Sequence, residues 1–362
     1  MRGTAPGRRT RVSLRTLVAS GPAGVVLLAL LTGTAAATVP ANRVTYDQPP
    51  PTSRPQAPGT SITSVSPGLL DQSDPFVLVQ GGRYFLFTSK DSPDVNLPVR
   101  SADALGQWGP VADALPALPQ WAEPGWAWAP DVHRFGTHYV LYFTTLLRGA
   151  TPSTMCIGDA VSDRITGPYR ARAKPFVCQF FLGGSIDPRT FVDADGQAYL
   201  QWKSDQNARS HTVATAIFSQ PLSPDGLRLL GVPAQIFEPD ESWQGSIVEA
   251  PQLLRVRGAY YLFYSGYWFN QPSYAIGAAR CTGPLGPCAD TAAAPLLDSN
   301  AQGTGPGEES VFQDDRGIWL LYSPFHSAVP VAGMARPATL ARLGFGPAGV
   351  YLAATPTTPA AA

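Results

Sequence analysis

Five stretches of the chain are apolar and aromatic at nearly every position: RYFLFTS, HYVLYFTT, AYLQWKS, AYYLFYSG and IWLLYSP. Successive side chains of a strand leave opposite faces, so a strand of this kind buries both of them between neighbouring layers. The leading rings, Tyr84, Tyr139, Tyr199, Tyr260 and Trp319, are separated by 55, 60, 61 and 59 residues. A second mark falls late in each unit: VRSADALGQWGP, AVSDRITGPY, IFSQPLSPDG, AARCTGPLGP and MARPATLARLGF. Each unit has room for four short strands, and beyond the N-terminus no segment carries a 3.6-residue apolar stripe. The pattern predicts an all-β chain folded as a five-bladed β-propeller, with four short antiparallel strands per blade. A β-sandwich is also all-β, but it does not account for so regular a period.

Ahead of the first unit the pattern changes. A basic front, an apolar run through Val25 to Leu31 and small residues at Ala35 to Ala37 predict a secretory signal over residues 1–37. An uncleaved anchor is the alternative, although the run is short for a membrane span and interrupted by Gly and Pro. Arg8-Arg9 could mark twin-arginine export. Residues 38–65, rich in Pro, Thr and Ser without apolar periodicity, read as a linker. The propeller is expected over 66–355, with a tail at 356–362. In an exported chain four cysteines suggest two disulfides rather than a metal site. Cys281 and Cys288 bracket the turn CTGPLGPC, and Cys156 with Cys178 would then be the other pair; four reduced, buried thiols are the alternative.

Composition narrows the partner. With 26 basic and 26 acidic residues the net charge is zero, so no field of one sign exists to hold nucleic acid or an anionic membrane. A neutral ligand fits a chain that is 10% aromatic and only 14% charged. With 35 Gly and 37 Pro spread along it, the chain has the punctuation that many short strands need.

The candidate chemistry lies about ten residues before each aromatic strand. There the units carry Asp74 (DQSDPFV), Trp128 (WAWAPDV), Asp187 (GSIDPRTF), Glu249 (IVEAPQL) and Glu308 (GPGEESVF), spaced by 54, 59, 62 and 59 residues. Equivalent strand starts of a propeller converge on one end of its axis, so these acids should meet. Carboxyls crowded in an apolar funnel acquire different pKa values, one staying protonated while another ionises. Glycoside hydrolysis needs that division of labour. Asp-Pro at 74 and 187 could also be simple turn starts. Glu249, a poor turn former between apolar flanks, is costly to bury without a task. Asp193, Asp195, Asp314 and Asp315 read as hairpin-tip residues. The four histidines form no cluster and read as core or surface residues; His326, just after a core strand, is the one that could instead face the channel. No G-x-S-x-G elbow supports a serine hydrolase.

At these residues the chain resembles the family 43 glycoside hydrolases, five-bladed propellers that cleave arabinose- and xylose-containing polysaccharides with inversion. The resemblance covers roughly residues 66 to 354 and rests on SDPFV, WAPDV, SIDPRTFVDADGQAYL and VEAPQLLRVRGAYYLFYSG in order. It implies Asp74 as general base, Asp187 as the acid that tunes and orients its partner, and Glu249 as general acid. Trp128, Arg336 of GMARPATL and Trp243 of ESWQGSIVEAP are the expected sugar-binding residues. The resemblance requires no cofactor and leaves a central calcium open, because Glu308 stands where many members carry histidine.

The implied activity is hydrolysis of arabinan or arabinoxylan side chains by a secreted monomer. Its partner is a polysaccharide or oligosaccharide, with no nucleic acid and no membrane after signal cleavage. Xylosidase or galactan specificity is the alternative within the family. A lectin-like propeller stacking sugars on Trp121, Trp126, Trp128 and Trp243 is the alternative from another class, and a fructan-active relative is a third.

Overall fold

The computed structural model describes residues 63–64, 71–89, 94–330 and 332–353, all of them within the compact unit Val39–Ala362. The expected signal and tail, and most of the linker, lie outside the described residues. The first strand is β1 (Thr63–Ser64). Blade one follows as β2 (Phe76–Gln80), β3 (Arg83–Phe87), β4 (Pro98–Ala102) and β5 (Ala112–Asp113). Blade two is β6 (Ala122–Phe135), β7 (His138–Leu147), β8 (Met155–Ser162) and β9 (Arg170–Ala171). Blade three is β10 (Ser185–Val192), β11 (Ala198–Ser204), β12 (Ile217–Pro221) and β13 (Ala234–Phe237). Blade four is β14 (Val248–Val256), β15 (Ala259–Gly266), β16 (Ala275–Cys281) and β17 (Cys288–Asp290). Blade five is β18 (Thr304–Asp314), β19 (Gly317–Phe325), β20 (Thr339–Gly346) and β21 (Gly349–Ala353). Each blade is an antiparallel meander in chain order.

The five aromatic stretches are the second strands β3, β7, β11, β15 and β19, and their alternation feeds two cores at once. In β7, Tyr139, Leu141 and Phe143 pack toward blade one while Val140 and Tyr142 pack toward blade three. Five such cores separate the five blades, and the last joins Val77, Tyr84 and Leu86 of blade one to Phe312, Trp319 and Leu321 of blade five. The ring is thereby closed by packing.

Three of the marker rings also latch neighbouring blades through their polar ends. Tyr84 donates to Asp314 (2.9 Å), Tyr260 donates to Asp193 (2.7 Å), and the Tyr139 hydroxyl bonds the Gln80 amide. Asp193 and Asp314 sit at hairpin tips, where they bind the backbone N–H groups of Ala194, Arg316 and Gly317. Both expected disulfides, Cys156–Cys178 and Cys281–Cys288, are present.

One boundary differs from expectation. Thr63 and Ser64, inside the expected linker, pair with Leu340 and Thr339 on the outer edge of β20, whose farther end pairs with β21. An open edge of unpaired N–H and C=O groups recruits the nearest extended segment. Two-residue pairing leaves too weak a sequence pattern to be read in advance. A chain beginning at residue 66 loses this strand; its melting temperature in scanning calorimetry is expected to fall, by about 2–4 °C for each kcal/mol lost.

Candidate active site

The innermost strands β2, β6, β10, β14 and β18 surround the axis, and each has a left-handed residue just before it or within it: Asp74 ahead of β2, and Ala129, Asp187, Ala250 and Glu308 inside the others, with φ between 46° and 55°. Such a conformation costs a non-glycine residue on the order of 1–3 kcal/mol, so the surroundings must hold it. In four blades it opens a β-bulge, in which two inner-strand residues face one residue of the second strand. The opposing residues are Phe143, Trp202, Tyr264 and Tyr322, all essentially buried.

Three of the strained turns are held by the preceding blade. Ala129 N–H donates to Ser89 Oγ (2.9 Å), Asp187 N–H to Thr144 Oγ1 (3.0 Å) and Glu308 N–H to Ser265 Oγ (2.9 Å). The corresponding residue of blade three is Lys203, which has no acceptor. Ala250 N–H donates instead to Asp187 Oδ2 (3.1 Å), while the Lys203 ammonium bonds Glu249 Oε2 (2.8 Å).

The acids therefore converge as the spacing predicted, with one correction of phase. Asp74, Asp187 and Glu308 occupy the left-handed position itself, whereas Trp128 and Glu249 precede it by one residue. A one-residue step exchanges the faces of a strand, so Glu249 is not the repeat-equivalent of Asp187. Oxygens of Asp187, Glu249 and Glu308 nevertheless lie within 4.8 Å of one another.

Glu249 is 7% exposed and bonded on both oxygens, by Lys203 and by the Tyr274 hydroxyl (2.7 Å). Burial, with Glu249 and Asp74 nearby, pushes Asp187 up to about 7, against the lowering pull of Lys203. Asp74, half-buried at the mouth, is raised by desolvation; Arg336, the bonded Ser89 hydroxyl and Arg189 counter this. Glu308 lies well above the usual carboxylate range because of burial and the acids Asp187, Asp74 and Glu249 around it.

Arg336 joins this cluster. Its buried guanidinium donates to Ser323 O (2.7 Å) and lies 5.8 Å from the Tyr274 ring centre. Trp128 is half-buried beside Trp126, with ring centres 5.1 Å apart. Trp243 takes another place. Its ring stacks on Tyr264 and lies over Gly266, at the side of the core between blades three and four, with no hydrogen bond or ion pair to any of the acids. A flat apolar ring next to a glycine finds its best contact in that packing.

His326 is exposed. The histidine on the axis is His133, buried in a channel of about 300 Å³ that also exposes Asp131 and Gln313 to its interior. Desolvation lowers its pKa to about 4, so it is neutral at pH 7.

The match to the family model "Glycosyl hydrolases family 43" runs over residues 68–351 and spans all five blades. The chain belongs to glycosyl hydrolase family 43. The chain is 26% identical over 288 residues to the extracellular endo-alpha-(1->5)-L-arabinanase 2 of Bacillus subtilis (strain 168), covering 68% of this chain and 54% of that one. It is 26% identical over 214 residues to the beta-D-galactofuranosidase xynD of Aspergillus niger, covering 56% and 57%. The chain thus spans little more than half the length of these two relatives. The crystal structure of a thermostable family-43 glycoside hydrolase superposes with a TM-score of 0.70 at 24% identity, covering 81% of this chain and 96% of the other.

The spacing of Asp187, Glu249 and Glu308 would admit a cation, but the residues present do not fit a resident calcium. That ion takes six to eight oxygens. Here a buried ammonium occupies one side of Glu249 and a phenol the other.

Lys203, Tyr274 and Glu309 are the site residues that the sequence reading missed. Lys203 breaks a series of hydroxyl residues, yet counting from the marker rings aligns Ser204 instead, because blade three, like blade five, is one residue shorter between ring and bulge than blades two and four. Glu309 stands where the other blades have proline; it accepts from Ser265 Oγ (2.5 Å) and is raised to about 8 by burial.

Asp187 also imposes a sign on stability. Between its ordinary value of 3.8 and about 7 the folded protein holds this proton more tightly than the unfolded chain, so stability falls as pH rises through that window. Asp187→Asn keeps an acceptor for Ala250 N–H and removes the charge. The variant is expected to melt above the wild type at pH 7.5 and to lose that advantage by pH 4, in thermal scans across pH.

Proposed function

We propose that this chain is a secreted glycosidase that cleaves arabinose-containing plant polysaccharide, arabinan or arabinoxylan side chains, with inversion at the anomeric carbon. The convergence of Asp74, Asp187 and Glu249 at one end of the propeller axis carries this reading, because a sugar ring entering there meets carboxyls of unequal proton affinity. Asp74, held by Ser89 and close to two arginines, is the general base that takes a proton from the attacking water. Glu249 is the general acid that protonates the departing glycosidic oxygen. Asp187 orients the start of β14, which bears Glu249, through Ala250 N–H and sets the local charge. Trp128 and Trp126 supply an aromatic wall for stacking, and Arg336 anchors the fifth-blade side.

Arabinofuranosides are favoured because one relative is named an arabinanase and another a galactofuranosidase, both enzymes of five-membered sugars. Export is supported by the basic and apolar N-terminal pattern, by two disulfides and by a relative named extracellular. A second reading keeps the mechanism and exchanges arabinose for galactofuranose, as in the Aspergillus niger relative.

Release of reducing sugar from debranched arabinan, arabinoxylan and a galactofuranoside ranks these substrates. Turnover of arabinan is expected, with the product's anomeric configuration inverted by proton NMR within the first minutes. Glu249→Gln should lower kcat by about 10²–10⁴ while retaining oligosaccharide binding in calorimetry. Binding without turnover by the wild type on every glycan would mean a lectin.

A further inference from the structure

Glu249 faces a problem of proton supply. A general acid must carry a proton when the glycosidic bond breaks, yet Glu249 is bonded as a carboxylate, with the Lys203 ammonium on Oε2 and the Tyr274 hydroxyl on Oε1. The same Tyr274 hydroxyl lies 3.0 Å from Glu308 Oε1. Tyr274 has one proton to donate, so two hydrogen bonds to two carboxyls require a second proton on one of them. Glu249 has a buried cation to hold its negative charge, and Glu308 has none at hydrogen-bonding distance. The other oxygen of Glu308, Oε2, is buried without a partner among the described residues. An unpartnered buried oxygen is tolerable as the carbonyl of a neutral acid and costly as half of a carboxylate.

We propose that Glu308 stores a proton and passes it through the Tyr274 hydroxyl to Glu249, arming the acid for each turnover. This relay rests on Glu249 being the general acid. In the transfer, the Glu308 Oε1–H bond breaks as the phenol oxygen takes that proton, and the Tyr274 O–H proton moves to Glu249 Oε1. Glu308 is left as the carboxylate and Glu249 as the acid. Glu249 then gives the proton to the leaving oxygen as the C–O bond breaks, and Glu308 is reprotonated from solvent.

The local structure is built for this contact. Tyr274 is fully buried, and its ring lies so close to Gly307 that a Cβ there would sit 1.9 Å from it, so only glycine lets the phenol reach the neighbouring Glu308. The groups around Glu308 are Asp74, Asp187, Glu249, Glu309, Arg336 and Tyr274. Four of these are carboxyls and one is a cation, which favours the neutral form of Glu308.

The test separates a transferable proton from a structural hydrogen bond. Glu308→Gln keeps a neutral group that can still bond the phenol, but its amide gives up no proton. Tyr274→Phe keeps the packed ring and removes the bridge. Each is expected to lower kcat on linear arabinan by about ten-fold or more and to leave KM nearly unchanged, and Glu308→Gln to move the alkaline limb of the pH profile down by about one unit. The loss should shrink on a dinitrophenyl arabinofuranoside, whose leaving group departs without a proton. Thermal midpoints and oligosaccharide affinity monitor folding. If either variant folds and keeps the wild-type alkaline limb and kcat on arabinan, the relay is wrong while the general acid stands. If Glu249→Gln itself retains wild-type turnover, the assignment of the acid fails and the relay with it.

Discussion

Four carboxyls, those of Asp74, Asp187, Glu249 and Glu308, are gathered at one end of the propeller axis, with Lys203, Arg336 and Arg189 as their counter-charges. Like charges at this separation in a poorly solvated site cannot all ionise. The protons must be shared out unequally, and the unequal sharing is what gives the site its chemistry. The Lys203 ammonium is bonded to Glu249, Arg336 and Ser89 favour charge on Asp74, and Asp187 and Glu308 are left to hold protons to higher pH.

This crowding is possible because the scaffold is rigid where it is strained. A left-handed residue marks every inner strand, and hydroxyls of the preceding blade tie down three of those five positions. Blade three departs from the rule by placing lysine where its neighbours have serine or threonine. That substitution removes a generic inter-blade bond and converts it into a charged contact on Glu249, and Asp187 takes over the orphaned Ala250 N–H. A structural position of the repeat has become part of the electrostatics of the site.

Much of this was visible in advance at the level of repeats. The aromatic strands alternate toward two different cores, so their both-face apolarity and their spacing reported the blade number directly. The converging acids followed from the same period, and the disulfides from the cysteines that bracket a turn and the pair left over. The strand Thr63–Ser64 was hidden because two residues carry no periodicity. The true phase of Glu249 was hidden because a bulge shifts register by one residue without changing composition. The packing of Trp243 on Tyr264 was hidden because tryptophan has the same appearance in sequence whatever its ring meets, and His133 was passed over because nothing near it reveals that its strand lines the axis.

By itself, then, the sequence determined the architecture, the family and the residues that arrive at the axis, since these depend on patterns that repeat along the chain and survive small shifts of register. Only the tertiary structure decided how protons and charges are distributed among them. Lys203, Tyr274 and Glu308 come from three different blades, and the bonds they share with Glu249 depend on separations of a few ångströms across the channel, a distance that no spacing along the chain encodes.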